Sequence, residues 1–103
     1  MKQILKNKIA TIEELREFLK EFFRGKEAEV YLFGSRARGD ASPSSDIDLA
    51  IVSDQDLSED LTMLREILEE SLLPYKVDLV DLKHARYLQK RVEKEGRKWV
   101  TKN

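Results

Sequence analysis

The sequence predicts an α+β (α/β) chain built on a small mixed sheet of three to four strands flanked by helices. Three observations carry that expectation. Apolar residues recur at helical spacing over Ile12 to Phe23 and Leu57 to Leu72, and short strand-like apolar runs cover 28–33, 46–52 and 76–82. Turn and breaker residues, Gly25, Gly34, Pro43, Pro74 and Gly96, fall at the joints between them. At 103 residues the chain suits a single domain spanning 1–103, with one core and little surplus for separate substrate-binding modules.

Composition narrows the function classes. Nineteen basic and twenty acidic residues nearly cancel, so no global basic bias points to nucleic acid and no direct nucleic-acid contact is expected. The absence of cysteine excludes a disulfide framework, a thiolate metal site and a cysteine nucleophile. Met1 to Ala10 mixes lysines with isolated apolar residues, unlike the continuous apolar core of a signal peptide. No run approaches the roughly twenty apolar residues of a membrane span. The expectation is a cytoplasmic chain without membrane contact.

The elements follow in order. Thr11 and Glu14 form a capping box that starts the first helix, which buries Ile12, Leu15, Leu19, Phe22 and Phe23 and stops near Gly25. The first strand, Ala28 to Phe33, ends on Gly34-Ser35, and a loop carrying Arg36 and Arg38 runs on through Ser42-Pro43-Ser44-Ser45. In the second strand, Asp46 to Val52, Ile47, Leu49 and Ile51 share one face and should meet helices. Asp46 and Asp48 share the other face with Ala50 and Val52. A second helix should begin near 56–58 and reach about Leu73, with Leu57, Leu61, Leu64, Leu68 and Leu72 as its buried stripe. The third strand, Lys76 to Leu82, sets Asp78 on the face opposite Val77 and Leu79, where packing does not account for an aspartate; Asp81 reads as a strand-end or cap residue. A third helix over Ala85 to Glu95, with Leu88 and Val92 inward and Gly96 as its C′ residue, precedes a short last strand within Arg97 to Thr101. His84, between strand and helix, reads as structural or solvent-facing.

One stretch concentrates chemistry-bearing residues. Asp46 and Asp48 lie two apart on a strand, roughly 6.5 Å between backbones, so both carboxylates can reach one cation. Like charges this close raise each other's pKa, and a positive partner is expected between them. Across the loop, Gly34 allows backbone N–H groups to approach an anion and Ser35 adds a hydroxyl. Paired carboxylates on one strand face, without histidine or cysteine, suit hard divalent cations, Mg²⁺ or Mn²⁺. No P-loop and no Gly-x-Gly-x-x-Gly fingerprint is present.

Gly34-Ser35, ten residues, then Asp46-Ile47-Asp48, followed by Asp78 on a later strand, resembles the signature of the minimal nucleotidyltransferases of the DNA polymerase β superfamily, and the likeness covers nearly the whole chain. The resemblance implies a polymerase-β-like nucleotidyltransferase fold. It implies that Gly34 and Ser35 hold the nucleotide's phosphates, beside which Arg36 in the following loop would be a charge-assisted donor, and that Asp46, Asp48 and Asp78 are catalytic and hold two metal ions. ATP would be the substrate, with AMP transferred and pyrophosphate released. It also implies a small helical HEPN toxin as partner in a hetero-oligomer, with this chain as the antitoxin adenylylating a partner tyrosine. A non-catalytic antitoxin that neutralises by binding, or nucleotidyl transfer to a small molecule, stay open as alternatives.

Overall fold

The computed structural model describes residues 9–101; the reading of Met1 to Ala10 as a segment unlike a signal peptide lies outside them for residues 1–8. The described elements run α1 (Ile12–Phe22), β1 (Ala28–Phe33), α2 (Ser35–Arg38), β2 (Ile47–Ser53), α3 (Ser58–Glu69), β3 (Val77–Asp81), a 3₁₀ turn (Arg86–Leu88), α4 (Gln89–Glu95) and β4 (Arg97–Val100). The sheet order is β3-β2-β1-β4. β1 pairs antiparallel with β2 and β4, and β2 pairs parallel with β3, so the sheet is mixed.

Period-two alternation sorts the strand residues into two layers. Val30, Leu32, Ile47, Leu49, Ile51 and Leu79 face α1 and α3, where they join Leu15, Phe18, Leu19, Leu61 and Leu64 in the main core. Burying each such side chain stabilises the fold by about 1.5–3 kcal/mol. The opposite face carries a smaller cluster of Phe33, Ala50 and Val92, with Tyr31, Val80 and Leu82 packed against it. Here α4 crosses the sheet, with Val92 packed against Phe33 and Ala50.

The capping box at α1 forms as the sequence predicts. Glu14 N–H donates to Thr11 Oγ1 at 3.1 Å, and Thr11 N–H donates to Glu14 Oε1 at 3.0 Å. Four expectations are corrected. The 34–45 segment is not all loop, because one helical turn, α2, follows Gly34. The helix expected to reach Leu73 ends at Glu69: the N–H and hydroxyl of Ser71 both donate to the Leu68 carbonyl, and Leu72 N–H donates to Ile9 O. Leu72 is therefore 63% exposed rather than buried. The helix expected from Ala85 opens as a 3₁₀ turn and becomes α-helical only at Gln89, with Val92 buried and Leu88 half-buried. Gly96 caps it in an extended conformation (φ −70°, ψ 146°), not the left-handed one; glycine is needed because a Cβ would run into the Val92 carbonyl oxygen.

Among the described residues no helix is long and apolar enough to cross a membrane.

Candidate active site

The parallel pairing of β2 with β3 places Asp48 directly opposite Asp78. Neighbouring strands lie about 4.8 Å apart, so the two side chains rise side by side from one face. Asp46 stands one residue before β2, two positions from Asp48. It is exposed, as is Asp78, whereas Asp48 is half-buried. Desolvation raises the Asp48 carboxyl above its ordinary 3.8, and the charges of Asp78 and Asp46 push in the same direction; Arg91 opposes them. At Asp48 the repulsion comes from Asp78 first and Asp46 second.

The antiparallel pairing of β1 with β2 brings the other half of the site to the same place. Phe33 pairs with Asp48, so the chain leaving β1 turns at Gly34 directly over the Asp48 side chain. Gly34 has φ 80° and ψ −159°, a region open essentially to glycine alone, and a Cβ there would overlap Asp48 Oδ2. Ser35 begins α2 and is half-buried. The fold thus assembles Gly34, Ser35, Asp46, Asp48 and Asp78 around one end of the sheet.

Two basic residues of the turn already have partners. Arg36 Nε and Nη2 donate to the Ser45 carbonyl at 3.1 and 2.9 Å, Nη2 also donates to Pro43 O at 3.3 Å, and the guanidinium lies 4.4 Å from the Tyr75 ring centroid. In this state Arg36 braces the segment that leads into Asp46. Arg38 pairs with Asp40 and with Glu95, each at 3.2 Å. His84 is solvent-facing, its side chain 71% exposed and 3.9 Å from Asp81. Asp81 accepts a hydrogen bond from Lys83 N–H at 3.0 Å, in keeping with a strand-end role.

Sequence reasoning passed over Tyr75, Arg91 and Glu95. Tyr75 has a local signal, an aromatic just ahead of the third strand. Arg91 and Glu95 have none, because their tie to the site depends on α4 folding back over the sheet. That crossing also divides the face: Arg91 and Glu95 look toward Asp48 and Gly34, while Gln89, Val92 and Glu93 line a separate cavity of about 570 Å³ with Tyr31, Val52 and Leu82. The cavity lies behind α4, about four residues along β2 from Asp48, and is not where the carboxylates converge.

Among the described residues no group of three acidic or histidine side chains is gathered closely enough to hold a metal ion unaided. The donor set nevertheless suits Mg²⁺, which commonly takes one or two carboxylates and completes its shell with substrate phosphates and water.

A family described as "Nucleotidyltransferase domain" matches residues 12–100. The chain is 47% identical over 55 residues to the "Probable protein adenylyltransferase MntA" of Haemophilus influenzae, a match covering 50% of this chain and 46% of that protein; it thus spans about half the length of that relative. It is 32% identical over 94 residues to MJ1379 of Methanocaldococcus jannaschii, which carries a protein-adenylyltransferase name, covering 82% of this chain and 94% of that protein. Among solved structures, "Crystal structure of the toxin-antitoxin with AMP-PNP" is similar with a TM-score of 0.57 and 27% identity, over 82% of this chain and 71% of that one. The mixed sheet and the helices on its faces are those of a polymerase-β-like nucleotidyltransferase fold, and the chain belongs to the nucleotidyltransferase domain family.

Proposed function

We propose that this chain is a metal-dependent nucleotidyltransferase that moves AMP from ATP to a hydroxyl, the acceptor being a tyrosine of a HEPN-type toxin bound to it in a hetero-oligomer, with this chain as the cytoplasmic antitoxin. The observation that carries the reading is the meeting of Gly34 with Asp48 beside Asp78: a turn suited to phosphate lies against paired carboxylates suited to a cation. The relatives' names and the toxin–antitoxin setting of a solved relative support the acceptor class.

In the transfer, the acceptor oxygen attacks the α-phosphorus, the bond from that phosphorus to the bridging oxygen breaks, and pyrophosphate leaves with the bonding electron pair. Asp46, Asp48 and Asp78 would hold Mg²⁺ or Mn²⁺, two ions in all, whose chemistry is to neutralise charge on the attacking and leaving oxygens. Asp78, exposed on the edge strand, orients the incoming hydroxyl and takes up its proton or passes it to solvent. Ser35 contributes a hydroxyl to the phosphates, and Gly34 allows them close to Asp48. Arg36 keeps Asp46 in place through the 43–45 segment, and its guanidinium is free to contact phosphate only by giving up part of that brace.

The test is incubation of the chain with labelled ATP, Mg²⁺ and the product of the neighbouring reading frame, following both label transfer and complex formation. Wild type should label a tyrosine of the partner, and Asp78→Asn should bind the partner without labelling it. An Asp78→Asn chain that neutralises the toxin as fully as wild type would make binding, not transfer, the function.

A further inference from the structure

Glu95 closes α4, 61 positions along the chain from Gly34, yet its carboxylate sits against the Gly-Ser turn. Gly34 N–H donates to Oε2 at 2.6 Å. Arg38 Nη1 donates to Oε1 and Oε2 at 3.3 and 3.2 Å, and Arg91 Nε donates to Oε2 at 3.3 Å. The side chain is only 15% exposed. Desolvation works against its charge, but the Gly34 N–H and the two guanidiniums outweigh it and hold the carboxyl below its ordinary 4.5.

Docking of α4 does not by itself require these contacts, since Val92 already packs the helix onto Phe33 and Ala50. The partners of Glu95 beyond its own helix are both on the turn: Gly34 just before α2, and Arg38 at its last residue. Glu95 therefore grips both ends of the one-turn helix that presents Ser35. It also takes up the Gly34 N–H, so that Gly34 serves the site through its close approach to Asp48 rather than as a phosphate donor. The same carboxylate engages Arg91, whose charge acts on Asp48.

The geometry points to Glu95 as a positioning residue of this site: by fixing the Gly34 peptide, Arg38 and Arg91 together, it sets where Ser35 and the Asp48 carboxylate stand when Mg²⁺ and a nucleoside triphosphate bind. This rests on the nucleotidyl-transfer reading above. Without Glu95, the Gly34 peptide can rotate, the Asp48 carboxylate packed under it shifts, and Arg91 is released to pair with Asp48 in competition with a cation. Glutamine keeps an acceptor for the Gly34 N–H but lacks the charge that holds two guanidiniums, so its effect should be intermediate.

Glu95→Ala and Glu95→Gln are compared with wild type in calorimetric titrations of Mg²⁺ with a non-hydrolysable ATP analogue, in KM and kcat for label transfer, and in thermal midpoint. Loss of a side chain that orients a ligating group commonly costs 10–100-fold in affinity, and Glu95→Ala should weaken nucleotide binding about tenfold and raise KM, with kcat falling less. Glu95→Gln should recover part of the affinity at a thermal midpoint close to wild type. Affinity within twofold of wild type in both variants, beside a lowered midpoint, would make Glu95 a structural tie only and overturn the inference. Tighter nucleotide binding would overturn it too, by making the carboxylate a competitor for the phosphate's place. A wild-type chain that binds no nucleotide would instead overturn the transfer reading on which the inference rests.

Discussion

Gly34→Ala is the substitution that most directly tests how the site is assembled. The backbone at Gly34 (φ 80°, ψ −159°) lies in a region that costs a residue with a Cβ about 1–3 kcal/mol. The new methyl would also overlap Asp48 Oδ2. Because that atom ends a side chain able to rotate, the overlap is relieved by turning the carboxylate away rather than by opening the sheet. Its main consequence is therefore a displaced metal ligand. For a domain of this size each kcal/mol lowers the thermal midpoint by roughly 4–8 °C, so a fall of about 4–24 °C is expected. Label transfer should be lost even well below the new midpoint. Gly39→Ala is the control, since Gly39 is also left-handed (φ 86°) but a Cβ there meets nothing within 4 Å. It should cost about 1–2 kcal/mol and leave transfer intact. Calorimetry and the labelling assay, run on both variants, separate backbone strain from site geometry. If Gly34→Ala melts within 2 °C of wild type and still transfers label, the close approach of turn and carboxylate is not what the site depends on.

Other substitutions probe the surrounding framework. Asp48→Asn should raise the thermal midpoint of the metal-free protein by a few degrees at neutral pH, because it removes a partly desolvated charge repelled by Asp78 and Asp46; a lowered midpoint in EDTA would contradict this. The Asp56 carboxyl is held below its ordinary value by the Ser58 hydroxyl and N–H, so its contribution to stability is present above pH 3.8 and lost as the pH falls through its folded value. Asp56→Asn should therefore flatten the acid limb of the melting-temperature profile. Arg36→Ala should loosen the 43–45 segment and weaken Mg²⁺ binding through Asp46 while leaving the core intact, read as reduced metal affinity at a nearly unchanged midpoint. Thr11→Ala removes one half of the capping box and should cost about 1 kcal/mol in denaturant unfolding, with no effect on nucleotide affinity.

The elements of this protein were largely legible in its sequence because local physics specifies them. Alternation placed Ile47, Leu49 and Ile51 on the core face and Asp48 on the other, the capping box started α1, and the aspartate inside Val77-Asp78-Leu79 stood out as a residue that packing does not explain. The same local rules missed where elements end when the deciding partner is distant or follows the helix. Ser71 turns back onto the Leu68 carbonyl and Ile9 accepts from Leu72, so α3 stops short and Leu72 is left in solvent. That Asp78 stands beside Asp48 depends on strand register, which no spacing within β3 specifies. That Gly34 lies over the Asp48 carboxylate depends on β1 and β2 running antiparallel, and that Glu95 reaches the turn depends on α4 crossing the sheet. Residue type and period determine which face a side chain takes, because they act over a few bonds. Which side chains meet across 30 or 61 positions is decided only when strands pair and a helix packs, since those contacts draw their energy from the assembled fold.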